Sequence, residues 1–179
     1  MSRISDHFEK LRFAKKKALV TFVTAGDPDL KTTESLLDML PMNGADIVEL
    51  GIPFSDPTAD GPVIQKSSER ALKSRTTLDQ ILKLVQKKRS SIQIPILLMG
   101  YYNPILTYGL EKFAKAAHQA GVDGLIVVDL PPEESEKLHH QLQKYSIDLI
   151  YLLTPTSDSN RIQKVKKLAS GFIYNVSMT

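Results

Sequence analysis

The stretch Asp46-Ile47-Val48-Glu49-Leu50-Gly51-Ile52-Pro53-Phe54-Ser55-Asp56-Pro57-Thr58-Ala59-Asp60-Gly61-Pro62 reads as a strand, then a functional loop, then the start of a helix. Its apolar run, residues 47–50, is short and β-branched, as suits a strand buried on both faces, yet it carries Glu49. A charge in such a place is costly unless something pairs with it, so Glu49 is either a paired structural ion or a working acid/base. In the loop, Pro53, Pro57 and Pro62 restrict the backbone while Ser55, Asp56, Thr58 and Asp60 supply polar tips. Local duties account for part of this: Asp56 before Pro57 suits an Asx-turn, and Asp60 or Gly61 can cap a helix opened by Pro62. Those duties explain the prolines but not two carboxylates bracketing one loop at the end of a buried strand.

Outward from this stretch, apolar β-type runs alternate with helical periodicity. Residues 5–11, with Phe8 and Leu11 three apart, predict a short amphipathic helix placed to plug the amino-terminal end of a barrel. Strands are expected at 18–24, 95–100, 124–129, 147–153 and 171–176. Asp27-Pro28 supplies a cap and first-turn proline for a helix with Leu36, Leu37 and Leu40 on its apolar face, ended by Gly44. Further helices are expected at 62–72, at 77–88 with a Thr77/Gln80 capping box, at 109–119 closed by Gly121, at 132–144 from Pro132, and at 159–169. Strand and helix alternate throughout, which predicts a parallel sheet and an α/β fold. Gly44-Ala45-Asp46 and Gly121-Val122-Asp123 echo one another, each a glycine helix stop and an aspartate before an apolar strand ending in acid. An open doubly wound sheet is the rival, but Ala25-Gly26-Asp27-Pro28 after the first strand is not a dinucleotide-binding turn. The fold predicted is a (β/α)8 TIM barrel, whose active sites lie at the carboxyl ends of the strands.

Strand alternation puts Ile47, Glu49 and Gly51 on one face and Val48 and Leu50 on the other. If the latter pack on helices, Glu49 faces the barrel interior. Val20, Phe22 and Thr24 share a face in the same way, so Phe22 is either a pocket wall or an ordinary core residue, and Tyr174 in the last strand has the same two readings.

The chain has 179 residues, 42% hydrophobic and 24% charged, which suits one globular domain with a real core and argues against disorder. Its net charge of +3 comes partly from basic runs at 15–17, 87–89 and 164–167, with no aromatics interleaved; solvated faces are the expectation, not a nucleic-acid surface. There is no cysteine, so no disulfide, thiolate nucleophile or Cys-metal site. No apolar run resembles a signal core or a membrane span, and a cytoplasmic location is the default expectation.

The run from Glu49 to Gln65 resembles the signature of the tryptophan synthase alpha chain family, with Thr58 and Val63 as mild departures. Phe22-Val23-Thr24-Ala25-Gly26-Asp27-Pro28, Met99-Gly100-Tyr101-Tyr102-Asn103-Pro104-Ile105 and Val128-Asp129-Leu130-Pro131-Pro132-Glu133-Glu134 extend the resemblance along the chain. It implies a lyase that cleaves indole-3-glycerol phosphate to indole and glyceraldehyde 3-phosphate in tryptophan biosynthesis. Glu49 would be the general acid/base and Asp60 the carboxylate that holds the indole N–H, with Phe22, Met99, Val128 and Tyr174 as the substrate pocket. It further implies a beta-chain partner in an α2β2 heterotetramer, met through Asp56, Pro57, Asn103, Pro104 and Tyr108. Pyridoxal phosphate would belong to that partner, leaving no cofactor and no metal in this chain.

About six strands can be counted, against eight strands and typically ~250 residues for a closed barrel of this type. Residues 1–179 are therefore expected to be a single barrel domain lacking its last two βα units, unable to turn over substrate by itself. Two other functions are weighed. Asp27, Asp56, Asp60 and Asp129 could gather a divalent ion, as in a metal-dependent barrel aldolase or epimerase acting on a sugar phosphate, although His7, His118, His139 and His140 all fall on helices rather than at strand ends. Alternatively the loops serve mainly to dock another protein, as a non-catalytic partner-binding module.

Overall fold

The computed structural model describes residues 2–177. Its elements run α1 (Arg3–Phe13), β1 (Val20–Thr24), α2 (Leu30–Met42), β2 (Ile47–Gly51), α3 (Pro62–Lys73), α4 (Leu78–Lys88), β3 (Ile96–Gly100), α5 (Tyr102–Tyr108), α6 (Leu110–Ala120), β4 (Gly124–Val127), α7 (Glu136–Gln143), β5 (Asp148–Leu153), α8 (Ser159–Leu168) and β6 (Ile173–Asn175). All strand pairs are parallel and the spatial order is β1-β2-β3-β4-β5-β6. A doubly wound sheet reverses its strand order at a switch point; this sheet never does, so it is a partial TIM barrel. Its edges are β1 and β6, where Val20 and Ile173 stay exposed.

Alternation along the strands divides the interior into two apolar cores. Val48, Leu50, Leu98, Leu125, Val127 and Leu149 face outward into the layer of helices. Ile47, Leu97, Ile126 and Ile150 face inward and close around Ile4 of α1, with Phe8 beside them. The expected plug is thus present, and burying Ile4 alone contributes about 1.5–3 kcal/mol. Gly124 makes the approach possible: a Cβ there would lie 2.7 Å from Ile150 Cδ1 and 2.9 Å from Ile4 Cδ1.

The repeated Gly-x-Asp pattern has a physical cause at this same end. Asp46 accepts from the Leu19 N–H at 2.8 Å and Asp123 from the Ile96 N–H at 2.8 Å, so each aspartate ties its own strand to the preceding one. With Asp148 they also anchor α1: Ser2 donates to Asp148, Arg3 pairs with Asp123, and His7 meets Asp46 at 3.4 Å. Arg89, expected on a solvated face with Lys87 and Lys88, instead turns inward to Asp123 at 3.1 Å.

Other boundaries differ from expectation for local reasons. Asp27 does not cap α2, because Arg70 holds both its oxygens at 2.7 Å; Asp29 caps it instead, accepting from the Thr32 N–H at 2.7 Å. The helix expected from Pro132 starts only at Glu136, since buried Ser135 first bonds back to the Pro132 carbonyl and across to the Tyr151 hydroxyl at 2.7 Å. The short α5, with Pro104 in its first turn, has no counterpart in the sequence reading. The Thr77/Gln80 capping box and the left-handed Gly121 cap are both present.

Candidate active site

Glu49 points inward, in register with Phe22 of β1 and Leu97 of β3, and is 3% exposed. Its Oε1 has no hydrogen-bond partner, and no basic side chain pairs with it among the described residues. The structural-ion reading therefore has no partner to support it. Burial alone pushes the carboxyl up from 4.5 to about 7, so the group is poised between acid and base at neutral pH.

That shift has a consequence for stability. Below pH 4.5 the carboxyl is neutral in both folded and unfolded chains; between 4.5 and 7 the unfolded chain ionises first, so folding stability falls as pH rises, then levels off above 7. The total loss is about 3 kcal/mol. Glu49→Gln should accordingly be more stable than the parent by about that amount at pH 8 and nearly equal to it at pH 4, as read from urea unfolding midpoints at the two pH values.

One inward layer above Glu49, toward the strands' carboxyl ends, lie Thr24, Gly51, Met99 and Ile126. Gly51 is required there because the Phe22 ring lies across it; a Cβ would come within 2.6 Å of Phe22 Cζ. A narrow cleft lined by Phe22, Gly51, Asp60, Ile64, Met99 and Tyr101 adjoins a cavity of about 520 Å³ whose walls include Asp60, Met99, Val128 and Tyr174. All four expected pocket residues thus line this mouth, and the Tyr174 hydroxyl is held up by burial and by the nearby charge of Glu49.

Asp60 reaches the same space from the loop. The N-cap of α3 is Gly61, without a side-chain bond, so the Asp60 carboxylate has no capping duty. Gln65 Nε2 donates to its carbonyl at 2.8 Å, and the Tyr101 hydroxyl donates to its Oδ2 at 3.1 Å. Burial raises the Asp60 carboxyl above its ordinary value, while the Tyr101 hydrogen bond opposes the rise. Nothing local in the sequence marks Tyr101 as a site residue, although it is the next inward position after Leu97 and Met99. Arg161, also at the cavity wall, had no signal beyond its place on a helix.

Asp56 and Asn103 are exposed, and Pro57, Pro104 and Tyr108 half-buried, on the loop after β2 and on α5. None of the five lines the cavity, whose wall takes only Ala59 and Asp60 from this loop; the loop is tied to the residue that opens α5 by the Ala59 N–H bond to the Tyr101 hydroxyl at 2.9 Å. The four aspartates of the metal reading do not converge: Asp27 is held by Arg70, Asp129 by the Tyr102 N–H at 2.8 Å, Asp60 by Tyr101, and Asp56 by Ser55.

Parallel βα units in unreversed order, with a buried unpaired carboxyl inside β2 and a second carboxylate on the braced loop that follows it, define a (β/α)-barrel protein. The family model described as "Tryptophan synthase alpha chain" matches residues 8–179. A tryptophan synthase alpha chain from Geobacter sp. (strain M21) is 62% identical over 179 residues, covering 100% of this chain and 67% of that one. The crystal structure of tryptophan synthase subunit alpha from Legionella pneumophila str. Paris superposes with a TM-score of 0.97 at 46% identity, over 99% of this chain and 68% of that one. A tryptophan synthase complex from Pyrococcus furiosus gives 0.84 at 39% identity, over 88% of this chain and 65% of that one. The chain belongs to the tryptophan synthase alpha chain family. It is a carbon–carbon lyase of tryptophan biosynthesis, acting on indole-3-glycerol phosphate.

Proposed function

We propose that Glu49 and Asp60 divide the retro-aldol cleavage between them. Protonated Glu49 delivers its proton to C3 of the indole, making a cationic indolenine whose N–H is held and whose charge is offset by ionised Asp60. The Glu49 carboxylate then accepts the proton of the glycerol hydroxyl next to the scissile bond. As that C–C bond breaks, its electron pair returns to the ring, an aldehyde forms, and Glu49 ends protonated as it began. One group with a pKa near the working pH suffices for both transfers. Phe22, Met99, Val128 and Tyr174 supply an apolar and aromatic wall for the indole. The observation that carries this reading is the buried carboxyl of Glu49, unpaired and pushed up to about 7, one inward layer below Gly51 and Met99 of the cleft wall.

The proton bookkeeping closes without a cofactor, so we assign none to residues 1–179, read as one barrel domain, and place pyridoxal phosphate in a beta chain. The partner surface is Asp56 and Pro57 with Asn103, Pro104 and Tyr108, in an α2β2 assembly; the Pyrococcus furiosus neighbour is a complex, and Asp56 and Pro57 lie on the loop that also carries Asp60 into the cavity wall. No described helix is long and apolar enough to cross a membrane, and the phosphorylated substrate suits the cytoplasm. The test is indole release from indole-3-glycerol phosphate, followed with and without purified beta chain. Release that beta chain accelerates supports the reading; tight beta-chain binding with no release in any condition would leave a docking module.

A further inference from the structure

We propose that Tyr101 is a positioning residue for this reaction, its hydroxyl gripping the Ala59 N–H and the Asp60 carboxylate at once so that the loop presents Asp60 to the indole nitrogen. The inference rests on the reading of Asp60 as the indole-binding group. The direction of both bonds follows from chemistry: a backbone N–H can only donate, so the phenol oxygen accepts from Ala59 at 2.9 Å, and its own proton is left for Asp60 Oδ2 at 3.1 Å. Tyr101 is the only described side chain that bonds the Asp60 carboxylate.

The gripping group is itself fixed. Tyr101 follows directly on β3 and is 4% exposed, and its ring packs against Phe54 with centroids 5.1 Å apart. The loop's other ties to Asp60 hold its backbone, through Pro57 and Gln65, and leave the carboxylate free to turn. Without the hydroxyl, an ionised Asp60 would populate orientations that miss the ring nitrogen, and charge offset that depends on aim would be lost where the cation develops. Burial and the neighbouring carboxylates of Asp60 and Asp129 push the Tyr101 hydroxyl up to about 12, so it remains a donor throughout the working range and exchanges no proton itself. Asp56 in the same loop is occupied by Ser55, and no lysine or arginine bonds Asp60 among the described residues.

The test is Tyr101→Phe in the complete enzyme with its beta chain, which keeps the ring and its packing on Phe54 and removes only the hydroxyl. A hydrogen bond to a charged group is worth enough to lower kcat about 10–100-fold, with KM little changed. The acidic limb of the pH–rate profile, where Asp60 must stay ionised, should move to higher pH, since the bond favouring its charged form is gone; the alkaline limb set by Glu49 should not move. An unchanged kcat, or a loss with both limbs in place, would overturn the inference and leave Tyr101 a packing residue. Asp60→Asn measured alongside separates the two claims: wild-type rates there would remove the underlying reading of Asp60, whereas an inactive Asp60→Asn with a fully active Tyr101→Phe would remove only the role of Tyr101.

Discussion

Glu49→Gln should lower indole release by about 10²–10⁴-fold in the complete enzyme while the protein remains folded. The amide has nearly the shape of the carboxylic acid, but it can neither deliver a proton to the indole carbon nor collect one from the hydroxyl at neutral pH. The structure strengthens the expectation that the fold survives, because no cation is paired with Glu49 among the described residues and nothing is orphaned by its neutralisation. Loss of activity should therefore coincide with gained stability at pH 8, a combination that a structural ion could not produce. Undiminished release would remove Glu49 from the mechanism, and an unfolded variant would return it to the role of a buried ion.

Asp60→Asn should cost about 10²–10³-fold in kcat, the scale seen when one preorganised electrostatic contact to a developing charge is lost. The asparagine oxygen can still accept the indole N–H and the Tyr101 hydroxyl, but it brings no negative charge to the cationic ring. Because Gly61 and not Asp60 occupies the N-cap of α3, the thermal midpoint should be nearly unchanged. Helical circular dichroism and indole release, measured on the same preparation, check the two halves of this expectation. Normal turnover with lowered stability would mean that the carboxylate braces the loop and does no chemistry.

Much of this site is legible along the strands because parallel sheets impose a strict alternation. Glu49 and Phe22 fall on inward positions by counting in twos, and the apolar character of their neighbours tells which face is the interior, whereas Met99 and Val128 are marked only by the family resemblance. The strand order could be anticipated only as far as strands alternating with helices imply parallel pairing; its lack of a reversal, which separates a barrel from a doubly wound sheet, is a long-range fact. Helix ends depend on partners distant in sequence. Asp27-Pro28 and Pro132 look like helix starts in sequence, yet Arg70, 43 residues away, claims Asp27, and Tyr151 draws Ser135 inward. Tyr101 was hidden for the same reason: its partners Ala59 and Asp60 lie some 40 positions earlier, across two different strands' loops. Asp46 and Asp123 show the opposite case, where a visible repeat had a simple cause, a carboxylate bonding the backbone of the neighbouring strand.

In this mechanism a single buried carboxyl, protonated near neutral pH, performs both proton transfers. The most direct test is a titration of Glu49 by carboxyl ¹³C chemical shift in the complete enzyme, with the resonance assigned by its absence in Glu49→Gln. A midpoint near pH 7 is the predicted result. A midpoint near the ordinary 4.5 would show that Glu49 is ionised at working pH and cannot donate the first proton, and the two-transfer role of this residue would fall.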